Sequence, residues 1–322
     1  MNTGAFATLE LDKIRSVLAG LAATVKGRAL AEALAPSSEA EVVRRRLEET
    51  SEAKRLFAEN VRLPLDRLPD IESDLDELGL EGRILGIDSL LRTAAASEVA
   101  VESRQTLLDY SELAPLLARS AESLPDLEAL PKEIFRILDP ETETVRDGAS
   151  PELERIRASS RRLESKLSKL LEQALSSRDN QKILQENLVT SRNERAVVPI
   201  KAECRSQFPG IVHGASASGA TLFVEPLATV EVNNDLAVLR DREREEIRRV
   251  LAALTERLRP RRDDLRSAVE VLAEVDLAIA KGRFSEICRG EAPVLTDSME
   301  LRLQEARHPL LIPEVAARAG IL

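Results

Sequence analysis

Apolar residues recur every three or four positions along most of this chain, which predicts a protein built mainly of helices. Leu11, Ile14, Val17, Leu18 and Leu21 mark one helical face, and a second short helix is expected near 24–34. Pro36-Ser37-Ser38 predicts a stop and then a capped helix running to about Glu59, and Pro64 and Pro69 mark a loop. Helices follow near 71–79, 88–108, 111–122 and 126–138, short enough and rich enough in Leu and Ala to pack as a bundle. Asp139-Pro140 through Asp147-Gly148 reads as a turn or a short hairpin.

Ser150-Pro151-Glu152 then supplies an N-cap, a proline at the first helical position and an acid in the first turn. The helix it opens is apolar at 153, 156, 163, 167, 170 and 174, with Ser160 as the polar member of an alternating three-and-four spacing. At the rise of an α-helix, 151–177 would extend roughly 40 Å. Leu236, Leu239, Ile247, Val250, Leu254 and Leu258 form a similar seam, Pro260 interrupts it, and Leu265, Val269, Leu272, Val275 and Ile279 predict a helix that folds back.

Between the two seams the pattern changes. Across Arg195–Pro226 the apolar positions are β-branched (Val197, Val198, Ile200, Ile211, Val212, Thr221, Val224) and Pro209-Gly210 breaks the run. The prediction is a mainly α protein. It has a helical bundle core, long antiparallel helices, and a small β-rich insertion at their tip.

Composition agrees with long helices. Apolar residues make up 43 % of the chain but aromatics only 2 %, so the cores are expected to be Leu, Ala, Val and Ile. The net charge of −10 is uneven. Residues 1–150 hold 18 Lys/Arg against 29 Asp/Glu, which leaves the remainder close to neutral and argues against a general polyanion binder. Any nucleic-acid contact should therefore be confined to one surface. Cys204 and Cys288 lack metal-ligand spacing. The N-terminus MNTGAFATLELDK has no export signature, and no run of 18 apolar residues occurs, so a soluble cytoplasmic chain with free thiols is expected.

No active site emerges. Gly214-Ala215-Ser216-Ala217-Ser218-Gly219 lacks the Lys-Ser/Thr ending of a phosphate-binding loop and the second glycine of a nucleophile elbow, so a tight turn between strands is the simpler reading. Asp139-Glu141-Glu143 lacks the Gly and Glu that a calcium loop needs. His213 and His308 offer no zinc spacing, and neither a metal nor a cofactor is expected in this chain. Arg192, Arg195, Lys201 and Arg205 are the candidate nucleic-acid contacts, gripping phosphate rather than reading bases, because Phe208 and Phe223 are the nearby aromatics. Arg195 and Lys201 are six apart and should share a strand face. The arginine-dense stretch 240–262 reads as solvated ion pairs, except at 257–262, where no acid intervenes before Asp263.

One segment, SASGATLFVEPLATVEVNNDL (Ser216–Leu236), resembles a signature of the MutS-two branch of the bacterial MutS family. Collinear support comes from LELDKI (Leu9–Ile14), ASPELERIR (Ala149–Arg157), RAVVPIKAECR (Arg195–Arg205), LAEVD (Leu272–Asp276) and EARHPLL (Glu305–Leu311). The resemblance implies a helical core (1–150), lever helices (151–177 and 227–287), a clamp (178–226), and at 288–322 the start of an ATPase domain. The chain is then expected to be truncated before that domain, so that 298–322 pack poorly for want of sheet partners. ATP and Mg²⁺, a nuclease-like domain and homodimerisation would belong to the absent part. The implied partners are branched or duplex DNA, or ribosomal RNA, in suppression of recombination or rescue of collided ribosomes. The competing expectation is a non-catalytic helical adaptor that binds a protein partner.

Overall fold

The structure, a computed structural model, describes residues 8–296 and 300–321. In chain order it contains α1 (Leu11–Leu21), α2 (Val25–Glu32), α3 (Ala40–Ala58), α4 (Glu72–Leu78), α5 (Ile87–Asp109), α6 (Pro115–Glu122) and α7 (Ala129–Ile137). Two short strands follow, β1 (Leu138–Asp139) and β2 (Thr144–Val145), then α8 (Pro151–Ser176) and the single turn α9 (Arg178–Gln181). The insertion comprises β3 (Thr190–Arg192), β4 (Arg195–Lys201), β5 (Gly210–Ala215) and β6 (Thr221–Pro226). The chain then returns to helix in α10 (Val230–Leu258), α11 (Arg262–Cys288) and α12 (Pro313–Arg318). The predicted helices are thus present, and the fold is mainly α with a small β-rich clamp. The helix α10 contributes residues 254–258 to one compact unit, with 1–144 and 259–322, and residues 230–253 to the other, which spans 145–253.

The first unit is the bundle. Its core is aliphatic, with Leu56, Leu75, Leu90, Leu107 and Ile134 almost fully buried. The helix α11 runs through it, packed on α1, α2, α3 and α4. The expected serine cap of α3 is not made. The helix starts from Glu39 with no side-chain cap, and the Ser37 hydroxyl instead accepts from Glu39 N (3.1 Å).

The acid-free arginine run at 257–262 is consumed within this unit. Arg259 donates to the Leu78, Leu80 and Arg83 carbonyls, Arg262 to Leu75 O and Arg261 to Asp126 O. These cations therefore satisfy carbonyls at the end of α4 and in nearby loops rather than forming a free basic patch. Residues 300–307 are exposed, as poor packing of the C-terminal stretch would have it. Residues 309–319 overturn that expectation: Leu310 and Val315 bury against Val17, Leu21 and Ala280, because α1 and α11 leave an apolar groove that the Pro309–Leu311 turn and α12 fill. Residues 298, 299 and 322 of that expectation lie outside the described residues.

In the second unit, α8 begins as its sequence dictates. Ser150 Oγ accepts from Leu153 N (3.0 Å) and Pro151 occupies the first turn. Near this end Arg157 binds Val145 O, Asp147 Oδ1 and Glu243 Oε1, each at 2.7 Å, while the Ser150 hydroxyl donates to Glu246 Oε1 (2.5 Å). At the other end Leu167 and Leu171 of α8 share a core with Val232 and Leu236 of α10, so the two helices run antiparallel. The sheet, in the order β3-β4-β6-β5, sits on that second end through Val198, Ile200, Phe208 and Val224. Ser160 Oγ, the polar position in the seam, is buried without a partner.

Ion pairing at the base of this helix pair makes it acid-sensitive. The Arg249 guanidinium, assisted by the Ser150 hydroxyl, holds the Glu246 carboxyl down to about 2 against an ordinary 4.5. A depressed carboxylate stabilises the fold fully above its unfolded value and loses that contribution as pH falls through the folded one. The urea midpoint should therefore drop between pH 4.5 and 2, and Glu246→Gln should drop less over the same window. An equal drop in both proteins would remove Glu246 from the account.

Candidate functional site

The β insertion is assembled around β4. On one side β4 pairs antiparallel with β6, placing Lys201 opposite Thr221 and Pro199 opposite Phe223. On the other, β3 covers its first half, with Arg192 opposite Arg195. Its second half is covered by the chain after α9: Gln185 N donates to Pro199 O and Lys201 N to Ile183 O, both at 3.0 Å. Thus β4 is interior over its length, and its residues 197–200 are buried. The turn between β3 and β4 is two residues long, Asn193-Glu194, with φ values of 51° and 61°. That is the left-handed pair which matches a hairpin's twist.

Alternation along these strands sorts the side chains. Ala196, Val198, Ile200, Leu222 and Val224 face the helices and form the core. Arg192, Arg195, Lys201, Thr221, Phe223 and Glu225 fall on the opposite face by register. The predicted shared face of Arg195 and Lys201 is thereby present, but the two cations have different surroundings.

Arg195 is tied into the protein. Its Nη1 donates to both oxygens of Glu225 (2.9 and 3.2 Å) and its Nη2 to Asn234 Oδ1 of α10 (2.5 Å). Glu225 is fully buried and also bonds His213 Nε2 (2.6 Å) and Asn233 Nδ2 (2.8 Å). One carboxylate thus gathers β4, β5, β6 and α10. A buried carboxylate is tolerable when each lone pair is met in this way. Arg205 is likewise turned inward: its guanidinium donates to Phe208 O (3.0 Å) and Gly210 O (2.8 Å), bracing the turn into β5. At Gly210 β5 approaches β6 so closely that a Cβ would lie 2.4 Å from Glu225 O, which explains the glycine.

Arg192 and Lys201 face outward. The Arg192 guanidinium lies 4.2 Å from the centre of the Phe223 ring, a cation–π contact that orients the side chain without neutralising it. The Lys201 ammonium reaches the carbonyl of Lys182 (3.2 Å), whose own side chain is exposed. These groups flank the Thr221–Phe223 stretch of β6. Two acids of the insertion are engaged elsewhere, Glu225 with Arg195 and Glu194 near Arg244, and among the described residues neither Arg192 nor Lys201 forms an ion pair.

The glycine-serine loop is a turn, as its sequence suggests. Ser216 N donates to Thr221 O (2.9 Å), Gly219 N to Ser216 O (2.9 Å), and Ser216 Oγ accepts from Thr221 N (3.1 Å). His213, displaced at a β-bulge, is bonded to Glu225 rather than to Ser216. Among the described residues, Ser216 therefore has no base within hydrogen-bond reach.

Glu225 is the central residue that sequence reasoning missed. Its signal was available: a single acid in the otherwise apolar run Leu222-Phe223-Val224-Glu225-Pro226. A charge at that position needs a buried partner.

No family model matches the chain. Curated relatives do. Endonuclease MutS2 of Symbiobacterium thermophilum is 39 % identical over 306 residues, covering 94 % of this chain and 38 % of the relative. Endonuclease MutS2 of Geobacillus thermodenitrificans is 37 % identical over 317 residues, covering 98 % and 40 %. The putative endonuclease MutS2 of Bacillus subtilis is 33 % identical over 317 residues, with the same coverages. The chain spans about two fifths of the length of these relatives. Among the described residues, no helix is long and apolar enough to cross a membrane.

Proposed function

Because this chain belongs to the MutS2 family, matching members over about two fifths of their length, we propose that it is a lever and clamp that grips nucleic acid by its phosphates. The ligand is branched or duplex DNA, or ribosomal RNA. The clamp is the β insertion and the lever is the helix pair that carries it. The observation that supports this most is the pair Arg192 and Lys201 on one sheet face, Arg192 exposed and Lys201 half-buried, neither of them paired with an acid among the described residues. They belong to a unit with 18 Lys/Arg against 16 Asp/Glu, whereas the bundle unit has 28 against 40. Arg195 and Arg205 act in this reading as positioning residues that set the strands on which the free cations stand.

The relatives are named endonucleases. We assign that activity to parts of those proteins beyond the match, since Ser216 has a turn's hydrogen bonds and His213 a carboxylate partner. A motor that drives the lever would lie outside the match as well.

Fluorescence anisotropy with a four-way DNA junction and with a ribosomal RNA fragment, at two salt concentrations, tests the proposal. Binding should weaken with salt, because phosphate neutralisation releases counterions. Arg192→Ala/Lys201→Ala should weaken it further and reduce the salt slope by about one for each phosphate that is no longer neutralised. A slope unchanged by the double substitution would place the contact elsewhere. The near balance of charge in the clamp unit favours a second reading, a helical adaptor for a protein partner. Absence of binding to either nucleic acid at low salt would select it.

A further inference from the structure

Within the bundle unit, α3 and α11 cross so closely that a Cβ at Gly282 would stand 2.8 Å from Ala53 Cβ. Beside that crossing, Lys281 of α11 is pressed toward α3, where Arg46 and Glu49 are its charged neighbours. Two hollows meet at this point. One, of about 390 Å³, runs between Leu11, Leu34, Val43 and Leu47, with Arg46, Thr50 and Lys281 as polar wall. The other, of about 300 Å³, reaches the same Arg46 and Lys281 from the side of Glu49 and Glu274.

Charge at the junction is unbalanced. Glu49 is committed to Arg45 (2.7 Å), and among the described residues the Arg46 guanidinium donates to the Ala35 carbonyl alone, at 3.5 Å. Among the described residues, the Lys281 amine makes neither a hydrogen bond nor an ion pair. Burial, and then the Arg46 charge, push the Lys281 ammonium below its ordinary value. Two adjacent cations, one of them short of water, are unfavourable unless an anion offsets them. The hollow that leads away from them is lined mainly by aliphatic side chains and has the volume of a small-ligand site.

We propose that the Arg46–Lys281 junction binds an anionic amphiphile, with a carboxylate between the two cations and a straight alkyl chain along Leu11, Leu34, Val43 and Leu47. Arginine suits such a headgroup because its planar fork donates to both carboxylate oxygens, and the neighbouring ammonium supplies a third charged donor. The alkyl chain would cover apolar surface now open to water, a favourable transfer for each methylene.

Isothermal titration of the whole chain with decanoate, below its micelle concentration, is expected to give saturable binding at one site. Lys281→Met should weaken it by roughly tenfold or more, the scale of one missing charge-assisted bond, while Lys281→Arg should stay close to the parent. In the unaltered protein, decanoate should protect Lys281 from limited acetylation, read by mass spectrometry, a test independent of how the variants fold. Inorganic phosphate should bind far more weakly, since it leaves the aliphatic hollow empty. The proposal falls if decanoate does not bind or does not protect Lys281. It also falls if decyltrimethylammonium binds equally well, if phosphate matches decanoate, or if folded Lys281→Met retains the parent affinity.

Discussion

Glu225→Ala is expected to destabilise the β-bearing unit by on the order of 3–5 kcal/mol, the range for removing one partner of a buried ion pair. The carboxylate is fully buried and takes hydrogen bonds from Arg195, His213 and Asn233. Alanine would leave a buried guanidinium edge, an imidazole and an amide facing a methyl group, each still carrying its desolvation penalty. Against a domain stability of about 5–15 kcal/mol, that is a large fraction. Urea unfolding followed by circular dichroism, with hydrogen exchange resolved over residues 190–226, measures it. Glu225→Gln, which retains one oxygen acceptor, should lose less. In a cycle with Arg195→Ala, the double variant should fall short of the summed losses, because the two groups act as one unit. A Glu225→Ala protein that unfolds at the parent midpoint would sink the assignment.

The same variant bears on the clamp. Glu225 joins β4, β5 and β6 to α10, so its removal should loosen the sheet on its helix while leaving the outward cations in place. Nucleic-acid affinity should then fall without the change in salt slope expected when Arg192 and Lys201 are removed, since every phosphate-neutralising charge is still present. The two substitutions separate positioning from contact.

The helices were legible because their information is local. Spacing of Leu and Ala, Ser150-Pro151 at a helix start and Pro260 at a break are all read within a few residues. The β insertion was legible for the same reason, through β-branched alternation and Pro209-Gly210. What stayed hidden is long-range. Arg195 reads as a free cation in sequence, and its acid lies 30 residues on. The arginines at 257–262 look uncompensated, yet each pairs with a carboxylate, Glu133, Glu256, Asp264 or Asp76, and Arg259, Arg261 and Arg262 also donate to backbone carbonyls, which sequence does not display. Similarly, the groove that receives Leu310 and Val315 exists only after α1 and α11 are packed.

Four of the segments that carried the family resemblance contain polar residues that hold the fold together. Ser150 and Arg157 of ASPELERIR tie α8 to α10, Arg195 of RAVVPIKAECR and Glu225 of the longest segment form the buried pair, and Asp276 of LAEVD holds the start of α2. A buried apolar position accepts several residues of similar volume, whereas a buried carboxylate must find its donors at fixed geometry.

Asp276 gives the second large expected effect. It is fully buried on α11 and accepts from Ala23 N (3.0 Å), Thr24 N (2.7 Å) and Thr24 Oγ1 (2.8 Å), while Thr24 Oγ1 in turn accepts from Gly27 N (2.9 Å). The carboxylate thus satisfies backbone donors just ahead of α2 and orients the threonine that caps it. A negative charge at a helix N-terminus is favoured by the helix dipole as well. Gly27 is glycine because a Cβ there would stand 2.2 Å from Asp276 Oδ2. Asp276→Ala would strand two backbone amides and a hydroxyl, at about 1–3 kcal/mol for each buried donor left unmet. A loss on the order of 3–5 kcal/mol is expected in the bundle unit, with faster hydrogen exchange at Ala23, Thr24 and Gly27. Asp276→Asn keeps one acceptor but turns an amide N–H₂ toward the donors, so its loss should be smaller yet clear. Gly27→Ala should destabilise through the same carboxylate, and combining it with Asp276→Ala should cost less than the sum, because removing the acid also removes the clash. Strict additivity of the two would show that Gly27 and Asp276 are not coupled in this way.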